Sequence, residues 1–378
     1  MKVLHVTPNF FPATYWGGPI FSTKAICDGI AARGDIMLRV LTTDAASPDR
    51  HDRVTPVALP YGVHYARRIA GHSIAPGLLA RLPGAIAWAD IVHLTATYNA
   101  PTLPTLALAR ALGRPVVWSP RGALQATAQW ADAPRQRTKH LFEKAANLLR
   151  HGSNVLHVTS AAEEAASKTN LTDMPTALIP NCVDIPPLAP RPIRHGAATR
   201  LLCLGRLHPK KGLARLIDAM AQLSGDVTLD IYGTGDPGYS AQLHQRAAAY
   251  GHRIRLHGHV DGSAKIAAFA QADLFVLPSH SENFGIAVAE ALAHGLPVLT
   301  TTGTPWHALD HHGCGRCIDL QTTSLACEIA SLLTADLPAM GARGRDWMIR
   351  DFAPVAMATA FAALYHSMLQ RDVRGVPA

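Results

Sequence analysis

The chain has 378 residues, 48% of them hydrophobic and 16% charged, with a formal net charge of +8. That composition buries a sizeable core and excludes a disordered or collagen-like chain, and at about 100–200 residues per domain the length fits two domains. Through Asp184 there are 18 Lys and Arg against 12 Asp and Glu, and beyond it 17 against 15, so the basic excess sits in the N-terminal half and either favours anionic partners such as phosphates or acidic lipids or serves solubility alone.

MKVLHVT opens the chain as a strand, and its apolar run is too short for a secretory signal. No 18-residue stretch is expected to be both charge-free and apolar enough to span a bilayer. GGPIFSTKAICDGIAARG is a helix entered through Gly17 and Gly18. LRVLTT, ADIVHLT and RPVVWSP are short apolar strands, with LPTLALARALG a helix between the last two. PRQRTKHLFEKAANLLRHG, residues 134–152, puts Arg135, Arg137, Lys139, Lys144 and Arg150 around Leu141, Phe142, Ala145, Leu148 and Leu149. Such a helix either packs on its own sheet or lies on an anionic bilayer. NVLHVTS and TALIPN continue the series. Short buried strands alternating with helices predict a parallel sheet covered on both faces.

Prolines 180, 186, 187, 190 and 192 forbid regular structure in IPNCVDIPPLAPRPIRHG, which reads as a linker. The pattern then restarts. TRLLCLG, VTLDIYG, IRLHGHV, DLFVLPS and LPVLTT are strands, KKGLARLIDAMAQL and FGIAVAEALAHG are helices, and the tail from Phe352 to Gln370 is helical. The expected architecture is α/β: two Rossmann-like domains facing across a cleft, residues 1–185 and 186–351, with a C-terminal helix in 352–378 packing back on the first. Ligands in such sheets bind beyond the carboxyl ends of the strands.

One stretch concentrates chemistry. In SHSENFGIAVAEALAHGLPV a buried strand ends at Pro278, and Glu282–Asn283–Phe284–Gly285 forms a turn before a helix that stops near Gly295. Free backbone amides and the helix dipole welcome an anion there. Glu290 lies about 8–9 Å further along the axis at ~1.5 Å per residue, too far to share a metal or a proton with Glu282. Two separated carboxylates beside a phosphate site suit a sugar nucleotide, each accepting hydrogen bonds from vicinal hydroxyls. LCLGRLHPKKG supplies the cations: Arg206 at a strand end, and Lys210 and Lys211 at a helix start, placed to steady a departing diphosphate. Gly17 and Gly18 would admit the same phosphates to the N-terminal backbone.

Other motifs carry less. The six cysteines, 27, 182, 203, 314, 317 and 327, are scattered and read as reduced thiols. GCGRC gives a CxxC at Cys314 and Cys317, but a zinc site usually needs a second pair, so it reads as a loop with incidental thiols. GTGDPG fits GxGxxG after a strand, yet Pro237 interrupts it and the next strand ends in a histidine rather than the acid of a dinucleotide site. The basic residues are too dispersed for nucleic acid.

MKVLHVT…GG, DIVHLTA, IPNCVDI, LCLGRLHPKKG, IYGTGDP, IRLHGHV, ADLFVLPSHSENFGIAVAEALAHGLPVLTTTGTPW and GCGRC follow one another in an order that resembles the retaining glycosyltransferases of family 4, with the GT-B fold, over nearly the whole chain. The resemblance implies that Arg206 and Lys211 hold the diphosphate and stabilise its departure, and that Glu282 binds donor-sugar hydroxyls. It implies donor contacts from Gly205, Asn283, Phe284, Gly285 and Ile286, ribose binding by Glu290, and closure by Gly18 over the diphosphate, with Gly17 beside it. It implies no metal and no cofactor beyond a nucleoside diphosphate sugar donor. The acceptor would be a saccharide or lipid-linked, the site of action cytoplasmic, and the membrane contact peripheral. Two positions depart from the pattern. Arg121 stands where many members carry a histidine and would contact an anionic acceptor or the donor, and Cys182 replaces a loop glycine. A sugar-nucleotide epimerase of the same fold and a non-catalytic nucleotide-sugar binder are the competing readings.

Overall fold

The structure, a computed structural model, describes residues 1–71, 73–124, 136–171, 173–189, 199–223 and 225–374. Arg135, Pro190 and Pro192 lie outside these residues. The chain divides into two compact units, one of Met1–Cys182 with Pro354–Ala378, the other of Val183–Ala353.

In the first unit the elements run β1 (Lys2–Val6), α1 (Gly18–Ala32), β2 (Met37–Thr43), β3 (Gly62–Ala66), α2 (Pro76–Trp88), β4 (Ile91–Thr95), α3 (Thr102–Ala111), β5 (Val116–Ser119), α4 (Gln136–Leu149), β6 (Asn154–Val158), α5 (Ala161–Asn170) and β7 (Thr176–Leu178). The second holds β8 (Thr199–Leu204), α6 (Leu213–Ala219), β9 (Val227–Tyr232), α7 (Pro237–Ala248), β10 (Ile254–His257), α8 (Gly262–Gln271), β11 (Leu274–Leu277), α9 (Ile286–Ala293), β12 (Val298–Thr301), β13 (Gly315–Ile318), α10 (Leu325–Leu332) and α11 (Leu337–Asp351). Then α12 (Pro354–Arg374) rejoins the first unit.

Both sheets are parallel. Their orders are β3-β2-β1-β4-β5-β6-β7 and β10-β9-β8-β11-β12-β13, so each reverses direction of travel beside its first strand, between β1 and β4 and between β8 and β11. Crossovers diverge there and leave a crevice at the strand ends. The strands are buried on both faces, as their unbroken apolar runs predict. Side chains alternate: Val3 joins one core of the first unit, while Leu4 and Val6 join the other.

Two expectations are corrected. Residues Leu337–Gln370 contain a charge-poor window with mean hydropathy 1.4, long and apolar enough by composition to span a bilayer. Within it, Met357, Ala358, Phe361, Ala362 and Tyr365 of α12 are buried in the core of the first unit, and 33% of the window is buried. The GCGRC segment is not a loop: Cys317 lies in β13, paired in parallel with β12, and Cys314 is buried just before it.

Candidate functional site

The switch point of the second sheet carries the predicted residues. After β8 come Gly205 and Arg206, and after β11 come Ser279 and the Glu282–Gly285 turn. Leu274–Leu277 are at most 1% exposed. Each such buried side chain stabilises by about 1.5–3 kcal/mol, more than a single left-handed turn residue costs, so the strand fixes where its exit loop begins.

Two close backbone approaches then set the loops. Gly212 has φ 67, and a Cβ there would fall 2.2 Å from the Pro278 carbonyl oxygen. Only a glycine lets the KKG turn lie against the end of β11. The His280 amide donates to the Lys210 carbonyl at 2.7 Å, stitching the two loops. On the other side, a Cβ at Gly235 would fall 1.9 Å from the Leu207 carbonyl oxygen, and Leu207 bridges Gly235 in parallel. The glycines of GTGDPG thus shape the loop that bears Arg206. Asp236 accepts from the Tyr239 amide at 2.9 Å, and α7 begins at Pro237.

Lys211 and Glu282 meet as a result. Lys211 Nζ donates to Glu282 Oε1, with side chains 15% and 10% exposed. Ser279 Oγ donates to the same oxygen at 2.8 Å, and the Glu282 amide donates to the Gly303 carbonyl at 2.8 Å. Arg206 is exposed and has no ion pair among the described residues. His208 accepts from the Lys210 amide at 3.2 Å. Burial lowers the His208 pKa first, and then Lys210, Arg206 and Lys211 lower it further. Three cations therefore surround one imidazole at the end of β8.

Gly285, at φ 75, precedes α9. The Phe284 carbonyl accepts from Trp306 Nε1 at 2.6 Å, and the two rings meet edge to face with centroids 5.2 Å apart. That contact fixes the turn before α9, where Asn283 also lies; the Val288 amide donates to the Gly285 carbonyl at 2.9 Å, and the amides of Ile286 and Ala287 stand at the helix start. Glu290 is the one residue from Ala287 to Ala293 not buried. It is held by Lys265 of α8 at 2.6 Å. Sequence reasoning missed Lys265, Ser279 and Trp306. Ser279 had a local signal, three residues before Glu282; Lys265 and Trp306 act across 25 and 22 residues and had none.

The remaining predicted residues lie in the first unit. Gly17 has φ 73 and precedes α1. A Cβ at Gly18 would meet nothing within 4 Å. Arg121 follows β5 at φ 57, and its Nη1 donates to Asn181 Oδ1 at 2.7 Å. Behind it lies a buried polar network that sequence reasoning did not find. His93 bonds Tyr365 of α12 and Ser119, both at 2.7 Å; Ser119 bonds His157 at 2.6 Å; His5 bonds Thr95 at 2.8 Å and stacks on His93 at 4.3 Å. Burial holds the pKa values of His5 and His157 down to about 3 and that of His93 well below the ordinary value, so all three are neutral.

Among the described residues no group of three or more His, Cys, Asp or Glu could hold a metal ion. Burial raises the pKa of the Cys314 thiol to about 12 and that of Cys317 to about 11, which keeps both protonated and poor ligands.

The second-unit arrangement can do two things. Cations and helix amides can take a phosphate group, and the two carboxylates can accept hydroxyls on either side of it.

Both parts of the chain are similar to known families. Residues 17–182 match the family described as glycosyl transferase 4-like domain, and residues 198–335 match glycosyl transferases group 1. A phosphatidyl-myo-inositol mannosyltransferase of Mycobacterium leprae (strain TN) is 37% identical over 131 residues, 32% of this chain and 34% of that protein. The match thus spans about a third of that relative's length. Sucrose-phosphate synthase from Thermosynechococcus elongatus superposes with a TM-score of 0.72 at 18% identity, covering 98% of this chain and 99% of its own. HepE of Anabaena in complex with UDP does so at 0.72 and 19% identity, covering 97% of this chain and 100% of its own. The chain has the GT-B fold, and its two parts are similar, in chain order, to the glycosyl transferase 4-like and the glycosyl transferases group 1 families.

Proposed function

We propose that the protein is a retaining glycosyltransferase that moves a hexose from a UDP- or GDP-hexose to a saccharide or lipid-linked acceptor in polysaccharide or glycolipid assembly. The observation that carries this reading is the stitched pair of loops at the β8–β11 switch point, which sets Lys211 against Glu282 beside Arg206 and the amide end of α9. Lys211 and Glu282 neutralise each other. A donor would exchange that pair for better partners: diphosphate oxygens for Lys211 and Arg206, and hexose hydroxyls for Glu282. The ribose falls to Glu290, oriented by Lys265.

As the bond from the anomeric carbon to the diphosphate breaks, Arg206, Lys211 and the α9 amides offset the charge that develops on the leaving oxygen. The acceptor hydroxyl attacks from the same face and gives its proton to that oxygen, which retains configuration without a covalent intermediate. Fixed cations do the work a divalent ion would otherwise do, so turnover is metal-independent. Offering the purified protein UDP-, GDP- and ADP-hexoses, with and without chelator, tests this. One donor should release its nucleoside diphosphate, chelator should leave the rate unchanged, and NMR should show the anomeric configuration of the product retained. Consumption of none, or complete loss in chelator, defeats the reading.

The acceptor reading also supports action at the cytoplasmic face of a membrane. On α4, Leu141 and Leu148 are 69% and 75% exposed. They share a stripe with exposed Arg137 and Lys144, while Glu143 and Ala146 turn inward. An apolar stripe flanked by cations suits an anionic bilayer. Sedimentation with phosphatidylglycerol vesicles should capture the protein, and Leu141→Glu with Leu148→Glu should release it. Equal capture by phosphatidylcholine vesicles counts against the contact.

A further inference from the structure

Arg121 leaves one guanidinium edge without a hydrogen-bond partner among the described residues. Its Nη1 is taken by Asn181, but Nε and Nη2 are sealed from solvent and have no hydrogen-bond partner among the described residues. These two nitrogens form one edge of the planar guanidinium, the edge that meets two oxygens of a carboxylate or phosphate side-on. Glu163, the acid whose charge acts most on Arg121, does not fill it. Glu163 Oε1 accepts the Gly122 amide at 2.5 Å, and Oε2 accepts the amide and hydroxyl of Thr159 at 2.8 and 2.7 Å. The imidazoles of His5 and His157 act on Arg121 from the sheet and are committed elsewhere, to Thr95, Ser119 and the Ile179 carbonyl. A desolvated cationic edge with no anion costs stability unless something binds it. The backbone is bent to present this side chain: Arg121 has φ 57 and Gly122 has φ 76, and strain of this kind gathers at functional sites.

We propose that the Nε–Nη2 edge of Arg121 is the seat of an oxyanion carried by the acceptor, so that the acceptor saccharide is anionic, bearing a carboxylate or a phosphate ester. The word acceptor rests on the glycosyl-transfer reading above; the oxyanion seat does not. The donor diphosphate already has Arg206, Lys211 and the α9 amides in the second unit, which leaves the anion at Arg121 to the other substrate.

Calorimetric titration of the full chain with methyl β-D-glucuronide, glucose 6-phosphate and methyl β-D-glucoside, each with UDP present to occupy the nucleotide's phosphate site, tests this. One of the two anionic probes should bind at least about tenfold tighter than the glucoside, and which one does so identifies the source of the charge. Arg121→Gln should abolish the preference. Arg121→Lys should keep only part of it, because an ammonium presents no edge. Equal affinity for all three probes, or a preference that survives in Arg121→Gln, overturns the proposal. Should Arg121→Gln fail to fold, the wild-type ranking and Arg121→Lys still decide. Donor hydrolysis by the wild type, measured alongside, separates the two readings. Probe binding through Arg121 without hydrolysis keeps the seat and defeats transfer; hydrolysis without anion preference defeats only the seat.

Discussion

The two units share a sheet topology and a switch point, yet treat polar groups in opposite ways. In the second, Lys211 pairs with Glu282 and Lys265 of α8 with Glu290 of α9, each partly open to solvent, and Arg206 stands exposed after β8. In the first, three imidazoles sit inside the sheet, neutral and hydrogen-bonded, with one guanidinium edge unpaired. Pairs that still reach solvent can exchange partners with a charged ligand, because the ligand's own groups replace the bonds that are lost. A neutral network in the interior cannot open cheaply, since every lost bond strands a buried group. The paired charges of the second unit are suited to turnover and the three imidazoles of the first to holding a shape, with the Arg121 edge set against them.

The comparison can be broken most directly at its most polar point. Lys211→Ala should lower transfer by about a thousandfold, the scale of losing one preorganised stabiliser of a leaving group, and Glu282→Gln, which weakens the hold on the hexose hydroxyls, should lower it by less, while melting curves stay near wild type. A variant that melts early but keeps its rate would make the pair structural. Gly212→Ala tests whether the loops are set by backbone contact. A Cβ at 2.2 Å from the Pro278 carbonyl with φ 67 must push the strand end away, and chemical denaturation should show a loss of about 2–4 kcal/mol.

The histidine network gives a pH signature. The folded pKa values of His5 and His157, about 3, lie below the unfolded value near ~6.5. Between them the unfolded chain binds more protons, so the stability these neutral rings contribute is whole above about pH 6.5 and is lost as pH falls toward 3. Urea melts at pH 6.5 and 5 should differ by about 2 kcal/mol per titrating histidine, and His157→Gln should remove one share. An unchanged difference would mean that His157 is not held neutral. The smallest effect belongs to Lys265→Ala, which frees Glu290 without removing it. Donor KM should rise about fivefold, near 1 kcal/mol, with kcat little altered.

Much of the second-unit site was legible because its signals are local. The Glu282–Gly285 turn, the strand before it and the helix after it are contiguous, and Arg206 and Lys211 follow one strand closely. The parallel sheets were legible too, since unbroken apolar runs such as Leu274–Leu277 admit little else. Several elements left no such trace. Helix α2 carries Pro83 within it, which argues against a helix in sequence, and Leu78, Leu82 and Ile86 hold it down by packing. Strand β13 hid behind the cysteines of GCGRC. The glycines of GTGDPG looked like a nucleotide signature, while their backbone contact is with the Arg206 loop. The histidine cluster was unreadable because His5, His93 and His157 come from three strands and meet only when the sheet forms.

Helix α12 has a consequence for how the molecule is made. Tyr365 completes the hydrogen bonding of His93, and Phe361 packs on the same ring, yet both emerge after all of Val183–Ala353. At the ~5–20 residues per second of synthesis, that interval is roughly ten to thirty seconds. A nascent chain therefore holds every β-strand of its first domain while the far wall of one core is still missing, and the domain begun second has its whole sequence first. Ribosomal pausing before α12 has emerged would leave that apolar wall open to chaperones and proteases.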